Sequence, residues 1–376
     1  MSFRNDFFVH LRKKLFRMIK IGITHGDING IGYEVILKTL SDIRILEMCT
    51  PVIYGSAKVA AYHRKTLDLP SVSMSIIGGA QSIGNNRVNI INCIDEEIKV
   101  ELSKSTQVAG EAAFASLKRA VADLREGLID VLVTAPINKN NIQNDNFKFP
   151  GHTEYLQEVA GEGKNALMIL ATENLRVALV TGHIPLAEVP QKLSADMIIT
   201  KLKDFSKSLM SDFGIAGPRI AVLSLNPHAG EEGLLGDEEK NIIIPAIQEA
   251  EKQGILCFGP YPSDGFFGSG AFNKYDGVLA MYHDQGLAPF KTLAMEAGVN
   301  FTAGLPIIRT SPDHGTAYDI AGKNIASEDS FRNALYMAID VFHNRKSFNE
   351  MTKNPLRKQY FERGADNEKL DLSRED

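Results

Sequence analysis

Four of the chain's nine histidines stand in similar surroundings: His152 in PGHTEYL, His183 in VTGHIPL, His228 in LNPHAGEEG and His283 in MYHDQG. The last three each follow a short apolar run that reads as a strand. Strand ends are ordinarily closed by Gly, Asn or Ser, residues chosen for turn geometry. An imidazole adds a group that titrates near neutrality and ligates metals. One such histidine reads equally well as a hydrogen-bonded turn residue, but the repetition points to a site. His183, His228 and His283 are 45 and 55 residues apart, and no local HExxH motif joins them, so spacing alone does not make a metal centre. Three neutral imidazoles with an open position suit a catalytic divalent ion, zinc above all, whereas magnesium or calcium prefers oxygen. Asp284 and Asp264 are carboxylates that could orient a ligand histidine or act on substrate, and Asp264 in YPSDGFFG equally suits a helix cap.

Such residues need strands to carry them. IKIGIT, PVIYG, RVNIINC and IDVLVTAP alternate with helical patterns at 30–41, 56–65, 108–127 and 138–143. ALMILA, LRVALVTG, RIAVLSLNP, GILCFGP, DGVLAMYH and GVNFTAG follow, with helices near 195–211, 237–253, 284–296 and 327–346. This alternation predicts an α/β protein around a largely parallel sheet. In such sheets ligands bind at the carboxyl edge of the strands, where most of the polar residues above fall. The glycine-rich ITHGDINGIGYEV follows the first strand but is spaced G-x-x-x-G-x-G, so neither a GxGxxG Rossmann fingerprint nor a P-loop lysine is present. Its glycines also suit a tight strand-to-helix turn.

The composition bounds the ligand. With 376 residues, 44% of them hydrophobic and 23% charged, two domains are expected. A net charge of −5 gives no footprint for nucleic acid. No apolar run reaches the roughly 20 residues of a membrane span. Cys49, Cys93 and Cys257 form no CxxC pair, which suits reduced thiols in the cytoplasm. Residues 1–17 are basic and lack the apolar core of a secretory signal; they are expected to be an N-terminal extension.

GDINGIGYEV and DHGTAYDIAGK resemble the first loop and the adenosine-binding loop of the isocitrate and isopropylmalate dehydrogenase superfamily, which binds its cofactor without a Rossmann fingerprint. A closer resemblance, to the 4-hydroxythreonine-4-phosphate dehydrogenases of the pyridoxal phosphate pathway, is carried by VTAPINK, GHTEYL, GHIPL, LNPHAGEEGLLGDEE, YHDQGLAPFK and GVNFTAGLPIIRTSPDHGTAYDIAG. These blocks run in family order from about residue 19 to 323.

The resemblance implies two α/β/α domains with a cleft between them: 18–137 plus 308–376 on the cofactor side, and 138–307 carrying substrate, metal and dimer interface. It implies that His183, His228 and His283 bind one divalent metal, zinc preferred with magnesium or cobalt as alternatives, and that His283 reaches across a homodimer with shared active sites. His152 and Thr153 would contact substrate, with Lys291, Asn300 and Arg309 completing its pocket. Asp264 matches a substrate-side carboxylate and, with His152, is a candidate for the proton-transfer step. Asp313, His314 and Asp319 fall in the loop that would hold NAD or NADP. The implied substrate is a small phosphorylated hydroxy acid, 4-phosphooxy-L-threonine, oxidised at C3 and then decarboxylated. The residues agree on charge, since a guanidinium forks two oxygens and an ammonium supplies a point charge. GDING in place of the family's usual Asp-Pro-Ala-Gly loop leaves room for a sister activity on threonate or erythronate 4-phosphate. A three-histidine phosphohydrolase that ignores nicotinamide is the reading from another class.

Overall fold

The computed structural model describes residues 18–95, 97–294 and 296–354; the expected extension 1–17 lies outside them. Twelve strands form one sheet: β1 Ile19–Thr24, β2 Cys49–Gly55, β3 Met74–Ile77, β4 Val88–Asn92, β5 Val131–Thr134, β6 Leu167–Ala171, β7 Arg176–Leu179, β8 Ile220–Leu223, β9 Cys257–Tyr261, β10 Gly277–Ala280, β11 Val299–Ala303 and β12 Arg309–Pro312. Their order is β3-β4-β2-β1-β5-β12-β11-β6-β7-β10-β8-β9. The apolar runs become strands because β5, β8 and β10 are buried at every position, covered on both faces as parallel strands require.

The covering helices are α1 Gly32–Leu40, α2 Ala57–Thr66, α3 Gln107–Arg125, α4 His152–Ala160, α5 Ala195–Ser211, α6 Ile244–Lys252, α7 His283–Ala294 and α8 Asp329–Thr352. Side-chain caps start three of them: Ser56 accepts from the Val59 N–H, Thr106 from Ala109 and Ser194 from Met197. The helix expected at 138–143 does not form. There the Asn138 side chain accepts the N–H groups of Asn140 and Asn141 at 2.9 and 3.3 Å, a local turn that competes with the helical ladder.

The expected sheet is largely parallel; the observed one reverses in its middle. β12 pairs antiparallel with β11, β11 with β6 and β6 with β7, while the strands on either side pair in parallel. The carboxyl ends of the two parallel halves therefore face opposite edges of the sheet. At the seam, Val299, Phe301, Ala303, Ile169 and Ala171 face a core that includes Leu335 and Ala338 of α8 and Phe205 of α5. Alternation sends their neighbours, Asn300, Thr302, Met168 and Leu170, to the opposite face. The proposed division at 137/138 and 307/308 falls after β5 and just before β12. Among the described residues no helix is long and apolar enough to cross a membrane.

Candidate active site

The seam's outer face is the floor of a cavity of about 290 Å³. Two cross-strand rows underlie it, with Thr302 buried beneath Arg309 rather than lining the cavity. Met168, Thr302 and Arg309 stand in one register, and Leu170, Asn300 and Ser311 in the next. The walls come from 134–139 after β5, from the start of α4, from 311–315 after β12, and from the residues that follow β7 and β10. The site thus lies on a sheet face and is only partly at a carboxyl edge, because a reversed seam separates the two sets of strand ends.

Arg309 is 3% exposed and has no carboxylate partner among the described residues. Its Nε and Nη2 donate to Thr134 Oγ1 at 3.0 and 2.7 Å, and its Nη1 donates to Thr302 Oγ1 at 3.2 Å. Burial lowers its pKa to about 10, so it remains a cation at neutral pH. A buried guanidinium met only by hydroxyls calls for an anion. Lys139 and Lys291 line the same cavity. The Lys291 Nζ lies 3.5 Å from Asp313 Oδ1, and burial raises the pKa of that carboxyl.

Three buried polar atoms in this cavity, His152 Nε2, Asn300 Oδ1 and His314 Nε2, have no hydrogen-bond partner among the described residues. Orphans of this kind are rare in folded proteins and mark where a ligand's donors and acceptors belong. Burial first, then the charges of Arg309 and Lys139, holds His152 well below the usual imidazole range, so it is neutral. Burial likewise lowers His314. Thr153, behind His152, also lines the cavity.

β7 and β10 are neighbours, with Val177 opposite Val278, so the residues that follow them emerge side by side. The His183 and His283 rings lie 5.6 Å apart between centroids. Two imidazoles on one tetrahedral ion have centroids roughly 5 Å apart, given nitrogen–zinc bonds of about 2 Å. The pair therefore fits two positions of a metal centre. His283 Nδ1 is 2.7 Å from Asp284 Oδ1; as the donor there, it leaves Nε2 free to ligate. Burial first, then Lys139, lowers the pKa of His183, which favours its neutral ligating form.

The third expected ligand is elsewhere. His228 follows β8 on an exposed turn outside the cavity. Among the described residues of one chain, no three His, Cys, Asp or Glu side chains assemble a metal-binding group. Adjacent strands put His283 beside His183 of its own chain, and His228 lies apart from both. Asp264 and Asp319 are exposed and also outside the cavity, and Asp264 caps no helix.

Sequence reasoning missed Thr134, Lys139, Glu154 and Ser311, which the cavity brings together with the expected residues. VTAPINK and GHTEYL contained three of them, but nothing local distinguishes a pocket lysine from a solvated one. The glycine-rich loop also acquires a role. Its Asp27 accepts from Tyr318 Oη at 2.7 Å, Asn141 Nδ2 at 2.8 Å and the Asn29 N–H at 2.8 Å. The Ile31 N–H donates to Thr316 O at 3.1 Å, and a Cβ on Gly30 would meet that oxygen at 2.6 Å. Gly30 is needed for this close approach, which holds the 313–323 loop in place.

Together these features describe an α/β protein with a basic cavity suited to a small anion, beside a pair of metal-competent imidazoles. Residues 47–338 match the family described as pyridoxal phosphate biosynthetic protein PdxA. The chain belongs to that family. It is 62% identical over 354 residues to a 4-hydroxythreonine-4-phosphate dehydrogenase of Bacteroides thetaiotaomicron, covering 94% of this chain and 97% of that protein. It is 41% identical over 325 residues to a D-threonate 4-phosphate dehydrogenase of Cupriavidus necator, covering 85% and 96%. A crystal structure of the Klebsiella pneumoniae 4-hydroxythreonine-4-phosphate dehydrogenase superposes with a TM-score of 0.75 at 35% identity, covering 87% of this chain and 98% of that one. Membership of a dehydrogenase family implies a nicotinamide cofactor.

Proposed function

We propose that the protein oxidises 4-phosphooxy-L-threonine at C3, with NAD or NADP as acceptor, and that the β-keto acid formed loses carbon dioxide to give 3-amino-2-oxopropyl phosphate. The observation that carries this reading is the buried Arg309, hydrogen-bonded only to the hydroxyls of Thr134 and Thr302, in one cavity with Lys139 and Lys291. Such a site selects a substrate bearing phosphate and carboxylate groups. The 62% identical relative supports the choice of substrate.

Arg309 presents its remaining N–H groups to one anionic end of the substrate, and the two lysines serve the other. Asn300 Oδ1 is an acceptor suited to the substrate ammonium. Neutral His152 accepts a hydrogen bond from the C3 hydroxyl at Nε2, and Thr153 closes the wall behind it. His183 and His283 would hold a divalent cation, zinc before magnesium or cobalt, whose Lewis acidity lowers the pKa of the hydroxyl it contacts. Asp313 and His314 lie on the loop that would hold the nicotinamide cofactor, with Asp319 further along it; when bound, that cofactor would supply the hydride acceptor.

A homodimer with shared sites would supply what one chain lacks. His228, on the turn after β8, and Asp264, in the short helix Ser263–Gly268 after β9, are exposed; β8 and β9 are neighbouring strands at the sheet's edge, and Leu234, in the same loop as His228, is 79% exposed. An outward leucine beside outward functional residues suits a second copy, whose cavity they would complete. The same reading has the enzyme act in the cytoplasm on small molecules, without a nucleic-acid or membrane partner.

The alternative substrate is threonate or erythronate 4-phosphate, favoured by the D-threonate 4-phosphate relative at 41% identity. Turnover of each compound, followed by reduced nicotinamide, decides between them. Good activity on the sugar acid phosphate with none on 4-phosphooxy-L-threonine would overturn the first assignment.

A further inference from the structure

The turn that carries His228 has the opposite hand to an ordinary helix. His228, Ala229, Gly230, Glu231 and Glu232 follow one another at φ 52°, 55°, 82°, 45° and 57°. Four of these are not glycine. L-residues enter this region singly and at a cost, so a run of them persists only where the surroundings over-determine it, and such runs gather at functional sites.

What over-determines it is Glu239, a carboxylate only 3% exposed. Its Oε1 accepts the backbone N–H groups of Leu225 and Asn226, both at 2.7 Å. Its Oε2 accepts from Asn226 Nδ2 at 3.0 Å. The loop is thereby gripped on its approach to Pro227 and His228. The far side is held as well: a Cβ on Gly230 would stand 2.6 Å from Glu239 Oε2, so the backbone of the turn lies directly on the carboxylate. Glu239 opens a π-helical stretch, Glu239–Ile243, a geometry that is rare and concentrated at functional sites.

A second buried tie joins this loop to the other histidine pair. Gln285 Oε1 accepts the Met281 N–H at 2.7 Å, and its Nε2 donates to Ser224 O at 2.5 Å. The ends of β10 and β8, which lead to His283 and His228, are fastened through one amide.

We infer that Glu239 is a positioning residue for His228: its carboxylate fixes the left-handed turn and so sets where the imidazole is delivered. This rests on the reading of His228 as a metal ligand, and the test separates the two. Full-length protein is stripped of metal with a chelator and titrated with Co²⁺, whose visible absorption reports ligand number and geometry, while hydrogen exchange is followed over residues 225–236. In Glu239→Gln, exchange in this segment rises, Co²⁺ affinity falls about 10–100-fold and the visible band changes. His228→Ala falls at least as far. Wild-type affinity and spectrum in Glu239→Gln overturn the positioning role, as does unchanged exchange. Wild-type affinity in His228→Ala overturns the ligand assignment itself. Should Glu239→Gln fail to fold, Gly230→Ala, which drives a methyl against the same carboxylate, is expected to give the same loss and is judged by the same results.

Discussion

Two nitrogens of Arg309, Nε and Nη2, rest on a single hydroxyl, Thr134 Oγ1, at 3.0 and 2.7 Å. One side of the guanidinium is thus spent on orientation, and the rest is left for ligand. Thr134 is the last residue of β5 and Arg309 the first of β12, so strand pairing sets this contact.

Replacing Arg309 with lysine keeps the charge and loses the fork. Each charge-assisted hydrogen bond is worth about 1.5–3 kcal/mol, so KM for the phosphorylated substrate is expected to rise roughly 10- to 150-fold. Thr134→Val, which frees the guanidinium without removing it, is expected to have a smaller effect in the same direction. Steady-state kinetics check both; an unchanged KM in Arg309→Lys would remove Arg309 from the anion site.

Chelation with EDTA is expected to abolish turnover, and Zn²⁺ or Co²⁺ to restore it. His183→Ala and His283→Ala should lose stoichiometric metal. Asp284→Asn keeps the ligand but exchanges the carboxylate that fixes the His283 tautomer at 2.7 Å, and about 10–100-fold weaker binding is expected. Metal analysis of the dialysed proteins reads this directly.

Acid should destabilise the protein well above the carboxylate range. His25 and His63 flank Tyr33 in a buried stack, and burial lowers both to a pKa of about 4. The unfolded chain binds their protons below about 6.5 while the fold refuses them, so stability falls as pH drops from about 6.5 to about 4. Each contributes at most about 3 kcal/mol across that window. His63→Gln keeps a donor for Ile28 O and should make urea stability less steep in pH; an unaltered slope between pH 7 and 4.5 would refute the assignment.

Gly110 on α3 bears directly on the loop that carries Lys139. A Cβ there would meet Asn141 O at 2.0 Å. Gly110→Ala is expected to cost about 1–3 kcal/mol of stability and, by shifting residues 138–142, to lower kcat/KM beyond what the loss of folded protein explains. Normal kcat/KM in the folded fraction would show that the loop adjusts freely.

Most of the scaffold was legible because its strands are apolar runs of strand length. β12 was not, since RTSP carries no such run and becomes a strand only by pairing between β5 and β11. Strand direction was hidden too: GVNFTAG alternates identically whether it runs up or down, and only its neighbours decide. Within the site, His183 and His283 could be read from type and position, whereas Lys291 and Arg309 were marked only by the family resemblance and Lys139 by nothing local. That His183 meets His283 could not, because it depends on β7 and β10 being adjacent across 100 residues of chain. The left-handed turn at His228 was equally hidden, since Ala and Glu do not advertise that conformation.

The reversed seam ties recognition to register. If β11 slipped by one residue, Val299 and Phe301 would turn toward the cavity, and Asn300 and Thr302 would be pressed into the core beneath α8. Loops around the rim can change length without this consequence. The floor cannot be retuned by sliding, only by exchanging one side chain for another in place. New substrates would therefore be reached through single replacements at Asn300, Arg309 or Ser311, or through the walls.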